Sequence, residues 1–306
     1  MEAVKILFYY FIFPGFLFTA IVGMFLTWVD RKVSARVQMR VGPPWFQPYA
    51  DFFKLLLKET IVPEGGSKIL FFLGPILGLL SMTILSVMLF YMNFSSTSSF
   101  AGDLIVMIYL LALPPIGVII GGSASKNPLA SVGASREMTQ YFAYELPFLI
   151  ATAGIVLKAG GTIKFGQIIE VQRSAGPFLY SISGIIFAVI MLLVVQAKLG
   201  YVPFDTPEAE QEIMAGPYIE YSGVGLAMYK ITRAMMLFLL PIFMISLLWG
   251  GIGDWWAILK FLLIIVLIIV IKNTNPRLRI DQTLKFFWIF IGILAIIGVI
   301  LAIKGL

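Results

Sequence analysis

KLGYVPFDTPEAEQEIMAGPYIEY (198–221) is a polar interruption between two long apolar runs, and its reading fixes the class of the protein. A loop flanked on both sides by runs of about 20 apolar residues is a loop at a membrane surface. It holds Asp205, Glu208, Glu210, Glu212 and Glu220, in a chain with only sixteen acidic residues. Four of them fall within eight residues and repel one another unless protons or cationic partners neutralise them. The spacing 205, 208, 212 would place three on one face of a helix. Pro203 and Pro207 oppose a regular helix before 207, and Gly216-Pro217 ends any helix before 218.

The rest of the 306-residue chain agrees with this placement. It is 60% hydrophobic and 12% charged, whereas a soluble domain carries about 25% charged residues. The apolar stretches are continuous rather than alternating, so the fold class is an all-α integral membrane protein, a single membrane domain over 1–306. Cysteine and histidine are both absent. That excludes disulfides, thiolate-held iron–sulfur clusters and His-ligated zinc or haem in this chain. Any proton carried here moves on Glu, Asp, Lys, Tyr and water. The first run, Ile6 to Val29, is too long for the core of a cleavable signal and leads directly into basic residues.

Eight spans are expected, over about 6–29, 69–92, 103–122, 137–157, 178–197, 218–248, 255–272 and 284–303. Lys and Arg distribute unequally between the loops. The odd-numbered loops hold fourteen: Arg31, Lys32, Arg36, Arg40, Lys54, Lys58, Lys68, Lys126, Arg136, Lys198, Lys272, Arg277, Arg279 and Lys285. The opposite side holds five: Lys5, Lys158, Lys164, Arg173 and Lys304. This bias puts the odd loops in the cytoplasm and both termini outside, in the cell membrane. The first cytoplasmic loop (30–68) is basic, and the acidic loop (198–217) lies on the same side. Within the first loop, WFQPYADFFKLLLKE (45–59) alternates apolar and charged residues in the manner of an amphipathic helix lying at the interface.

Six charges fall among apolar residues: Glu137, Glu145, Glu220, Lys230, Arg233 and Lys260. Each costs about 2.5–3.5 kcal/mol at a helix centre by insertion scales, less near a helix end where the side chain reaches the interface. Lys230 and Arg233 are neighbours on one helix face. The plain reading of these charges is static pairing, and that of the acidic loop a solvated face or a docking patch. The sharper reading is a carboxylate path for protons, with coupled titration of the clustered groups.

Three blocks resemble a known family: DRKVSARVQMRVGPPWFQPYADFFKLLLKE (30–59), SKNPLASVGASREMTQYFAYELP (125–147) and VPFDTPEAEQEIMAGPYIEYSG (202–223). They are similar to the signatures of subunit 1 of respiratory complex I and its relatives in membrane-bound nickel–iron hydrogenases. The blocks cover about 75 residues, and the eight-span layout extends the resemblance over the chain. Gly133-Ala134-Ser135-Arg136-Glu137 and Glu208-Ala209-Glu210-Gln211-Glu212 look most like the hydrogenase-type members and their sister sulfane reductase. Lys230-Ile231-Thr232-Arg233 stands where complex I proteins usually carry an acidic residue, a departure shared in kind with the quinone-free relatives.

The resemblance implies a membrane anchor that couples electron transfer in a docked arm to proton or sodium translocation, itself without a redox centre. Iron–sulfur clusters and a nickel–iron site are expected in partner subunits. Hydrogenase-like large and small subunits would dock on the cytoplasmic face, and small membrane and antiporter-like subunits laterally, with lipid around the rest. The path would run through Asp205, Glu208, Glu210 and Glu212, then Glu220, then Glu145 and Glu137, with Lys230 and Arg233 beside it. Arg31, Lys32, Arg36, Arg40 and Arg136 would dock the peripheral arm, with Lys54 and Lys58 as interfacial anchors. Alternatives are the same role in a sulfane reductase or a quinone-reducing complex, a stand-alone secondary ion transporter, or a passive scaffold. Inverted repeats with broken helices would favour the transporter, and the sequence shows none.

Overall fold

The computed structural model describes residues 2–95 and 98–306. Helices α1 (Glu2–Phe11) and α2 (Phe16–Val37) together make the first crossing. The apolar run expected to be unbroken is interrupted between them, where Pro14 withholds the amide a continuous helix needs. The freed Pro14 carbonyl accepts a hydrogen bond from the buried Ser86 hydroxyl of a neighbouring helix. The amphipathic helix of the first loop is α3 (Gln47–Leu56): Pro48 is buried and Phe52 packs on the core, while Phe53 and Leu56 stay exposed.

Four further helices run to the middle of the chain: α4 (Lys68–Phe94), α5 (Asp103–Ala124), α6 (Pro128–Lys158) and the short amphipathic α7 (Phe165–Ala175). Then come α8 (Ile182–Lys198), the four-residue α9 (Glu210–Ile213), α10 (Gly223–Leu248) and α11 (Ala257–Thr274). The last crossing is α12 (Ile280–Lys285), a π-helical turn Phe286–Ile291, and α13 (Gly292–Ile303). Seven crossings among the described residues are long and apolar enough to span a membrane. The remaining expected span, the fifth (178–197), is α8, whose 17 residues reach about 25 Å at 1.5 Å per residue, short of a hydrocarbon core of roughly 30 Å.

Helix α10 is the hub. Almost every residue from Ile231 to Leu248 is buried, whereas α11 and α13 show broad apolar faces outward. Helices α4 and α5 touch backbone to backbone because two glycines face each other. A Cβ on Gly74 would lie 2.5 Å from the Gly117 carbonyl, and one on Gly117 would lie 2.4 Å from the Gly74 carbonyl.

The two ends of the bundle differ. Loops 2, 4 and 6 meet at one end around a buried amide cluster. Asn93 Nδ2 donates to Ser246 Oγ (2.9 Å), and Asn93 Oδ1 accepts from the Ile252 amide (3.0 Å). Gln172 Nε2 donates to the Ser246 and Leu247 carbonyls (both 3.1 Å), and its Oε1 accepts from the Gly250 amide (3.0 Å). Asn93, Gln172 and Ser246 are all at most 1% exposed, so their polar atoms are satisfied inside the protein. Buried Asp103 closes the same end by accepting from the Phe165 amide (2.7 Å). Loops 1, 3, 5 and 7 meet at the other end, where Thr60 Oγ1 accepts from the Val224 amide and Pro203 O from the Leu278 amide.

Candidate functional site

The acidic loop lies at the odd-loop end and is not one helix. A 3₁₀ turn at Thr206–Glu208, the short α9 and a second 3₁₀ turn at Gly216–Tyr218 follow one another. The three-carboxylate face that the spacing would allow does not form, because Pro207 and the non-helical Ala209 (φ −48°, ψ 88°) divide the stretch, in line with the prolines noted in the sequence. The left-handed residues Met214 (φ 49°), Ala215 (φ 73°) and Gly216 (φ 53°) then end α9. Gln140, fully buried on α6, stitches the loop down. Its Nε2 donates to the Phe204 carbonyl at 2.7 Å, and its Oε1 accepts from Thr206 Oγ1 at 2.9 Å.

Each described carboxylate of the loop turns to a polar partner on a different element. Asp205 accepts two bonds from Arg277 in the seventh loop. Glu208 pairs with Arg233 of α10 at 2.5 Å, and Glu212 with Arg136 of α6 at 2.6 Å. Glu220 accepts from Asn127 Nδ2 at 2.5 Å. The side chain of Glu210 lies outside the described residues. The mutual repulsion expected from the sequence is therefore relieved chiefly by cations. The hydrogen bond from Arg136 holds the Glu212 carboxyl below the usual carboxylate value.

A cavity of about 1140 Å³ opens beneath the loop, between α2, α3, α10 and the seventh loop. Its wall carries Asp205, Glu208, Arg233 and Lys230 together with residues not singled out from the sequence: Asp30, Lys272 and Tyr201. Asp30 is 3% exposed and pairs with Lys272 at 2.6 Å. Tyr201 lies under two cations, its ring centroid 4.3 Å from Lys272 Nζ and 5.3 Å from the Arg233 guanidinium. Burial, then Asp30, pushes the Tyr201 phenol up, and burial followed by Glu208 does the same to Tyr218. Both keep their protons at neutral pH. Lys230 is exposed to the cavity, while Arg233 is committed to Glu208 and the Gly200 carbonyl. The two are not equivalent, although they share a helix face.

Deeper in, Glu145 pairs with Lys198 at 2.7 Å, the lysine side chain being fully buried against the rings of Tyr144 (4.9 Å) and Phe148 (4.7 Å). Lys198, counted from the sequence among the loop charges, is the last residue of α8 and points inward. Glu137 is half-buried and has no hydrogen-bond or ion-pair partner among the described residues, but lies within electrostatic reach of Glu208 and Arg233. Lys260, read as lying within a span, sits in the first turn of α11 and donates to the Trp249 carbonyl (2.9 Å). Of the expected docking residues, Arg31 pairs with Asp51 (3.3 Å), Arg36 and Arg40 are exposed, Lys32 is half-buried, and Arg136 closes the acidic loop. Among the described residues no group of acidic side chains is placed to hold a metal ion.

Comparison with known proteins places this geometry. A family model described as NADH dehydrogenase matches residues 11–303. The H subunit of NADH-quinone oxidoreductase from Brevibacillus brevis is 36% identical over 303 residues, covering 91% of this chain and 88% of its own. Its counterpart from Thermomicrobium roseum is 32% identical over 305 residues, with 90% and 89% covered. The backbone is similar to a chain in the structure of the membrane-bound sulfane sulfur reductase, an archaeal respiratory membrane complex. The TM-score is 0.84 and the identity 28%, over 94% of this chain and 96% of that one.

Proposed function

Because the chain belongs to the NADH dehydrogenase subunit 1 family, we propose that it anchors the peripheral arm of a respiratory membrane complex and couples electron transfer there to ion movement. The observation that carries this reading is the pairing of Asp205, Glu208 and Glu212 with three cations on three separate elements. Such a loop is held in one state by charge balance. A partner that changes its charge on reduction shifts that balance by Coulomb interaction, and the pairs rearrange. The inner groups Glu137 and the Glu145–Lys198 pair then take up and pass on the proton.

The odd-loop end faces the cytoplasm by the basic bias of its loops, with Arg36 and Arg40 free there to meet the peripheral arm. The arm is hydrogenase-like and ferredoxin-linked, on the resemblance of the 133–137 and 208–212 blocks. A second reading, a sulfane-reducing arm, is favoured by the backbone likeness to the sulfane sulfur reductase chain. Purifying the complex from its native membrane through a tag on this chain separates the readings. Nickel together with hydrogen evolution from reduced ferredoxin supports the hydrogenase. Iron–sulfur subunits without nickel, reducing sulfane or quinone, move the chain to the sister complexes and leave the coupling role. A chain that purifies alone and moves ions in liposomes refutes the coupling role.

A further inference from the structure

Two tyrosines bracket the Glu208–Arg233 pair, and they lead to different places. Tyr201 stacks beneath Arg233 and Lys272 and faces Asp30, which Lys272 already holds at 2.6 Å. That branch ends on a closed ion pair. Tyr218 ends the 3₁₀ turn Gly216–Tyr218, whose Pro217 is seated on Gly133 of α6. A Cβ at position 133 would lie 2.6 Å from Pro217 Cδ, so only glycine allows the turn to come this close. Glu137 is four residues on from Gly133, one helical turn along the same face. The turn therefore sets Tyr218 between the cavity, which it lines with Glu208 and Arg233, and the face of α6 that carries Glu137.

The two groups share a second property. Neither the Tyr218 hydroxyl nor the Glu137 carboxyl has a hydrogen-bond partner among the described residues, and both residues are half-buried. The Tyr218 ring is fixed edge-on against Tyr229 (centroids 5.1 Å apart, interplanar angle 68°). Tyr229 is pinned in turn by donating to the Gly117 carbonyl at 2.9 Å. A half-buried hydroxyl and carboxyl without a protein partner are open to a bridging water or to each other, and each is within electrostatic reach of Glu208.

We propose that Tyr218 carries a proton from the Glu208 side of the cavity to Glu137, an inference that rests on the coupling role above. As a proton arrives at the phenol oxygen from the cavity, the original O–H bond breaks toward the Glu137 carboxylate, directly or through water. One proton moves, the tyrosine is regenerated, and no electron is transferred.

The test uses the intact complex, reconstituted in liposomes and driven by the donor its purification identifies, with a trapped pH dye reporting proton movement per electron. Tyr218→Phe is expected to lower proton movement per electron by at least about tenfold, the scale of a lost proton-transfer group, whereas Tyr201→Phe changes it by less than about twofold. Incorporating 3,5-difluorotyrosine at 218, whose hydroxyl is more acidic, restores transport and moves its pH profile to lower pH, which a purely structural role would not do. Normal transport in Tyr218→Phe with a block in Glu137→Gln overturns the tyrosine step and leaves the coupling role standing. Normal transport in Tyr218→Phe, Glu137→Gln and Glu208→Gln together refutes both. If the phenylalanine variant fails to assemble, an unshifted pH profile in the assembled difluorotyrosine protein overturns the step.

Discussion

The two ends of the bundle solve the same problem, closing loops over a set of apolar helices, by opposite chemistry. The even-loop end centres on neutral side chains, Asn93, Gln172 and Ser246, bonded to one another or to nearby backbone, and its buried carboxylate Asp103 is held by backbone amides rather than by a cation. The odd-loop end uses full charges around a cavity of about 1140 Å³. A neutral hydrogen-bonded cluster has one good arrangement and resists water. Ion pairs around a cavity exchange partners when any one charge changes, because each pair is nearly balanced between attraction and solvation. On the coupling role proposed above, the first end would seal and the second respond.

The sharpest way to break that comparison is the inner pair that the charged end leads to. Lys198→Met leaves the mostly buried Glu145 without its cation and should cost about 3–5 kcal/mol, read as a fall in thermal stability of the purified complex. Glu145→Leu with Lys198→Met should recover much of that stability while abolishing coupled transport. Recovery of transport in the double variant would make the pair a static prop. At the sealed end, Asn93→Leu should cost about 1–3 kcal/mol for each polar group left unpaired, yet leave ions moved per electron unchanged. Uncoupling by Asn93→Leu would show that the amide cluster also responds.

The smallest effect concerns Glu212. Arg136 depresses its carboxyl below the ordinary 4.5, so the pair contributes fully above that value and is lost as pH falls through the depressed one. Hydrogen exchange of residues 205–217 should rise on acidification below about 4.5, and Glu212→Gln should remove its share of that rise. Thermal stability at neutral pH should not change, since exposed pairs contribute little. A large loss would mean that the loop is held chiefly by this one contact.

The spans, the grouping of the loops at two ends and the acidic loop as a place where charges gather were legible because apolar length and charge bias are local properties of sequence. The partners were not. Lys198 reads as the first charge after a span, and nothing near it names Glu145, 53 positions away. Asp30 and Lys272 look like ordinary span-end charges until folding brings them together. The break at Pro14 was visible as a residue but hidden by the hydropathy on either side. At 205, 208 and 212 spacing and proline content pointed opposite ways and the prolines decided, whereas the left-handed residues Met214 and Ala215 gave no compositional warning beyond Gly216. Tyr201 and Tyr218 carry no charge to draw attention, so their place around Arg233 appears only in three dimensions.

The Asp30–Lys272 bond also imposes a schedule on synthesis. Asp30 emerges near the start of the chain and its partner lies 242 positions later. At about 5–20 residues per second, the carboxylate waits on the order of ten to fifty seconds for its counter-ion. Asp205 waits a shorter time for Arg277, 72 positions on. The charged end is thus completed only when the seventh loop leaves the ribosome, whereas the amide cluster opposite needs nothing beyond Ile252. The ion pairs of the odd-loop end close last, after the amide cluster at the other end has all its partners.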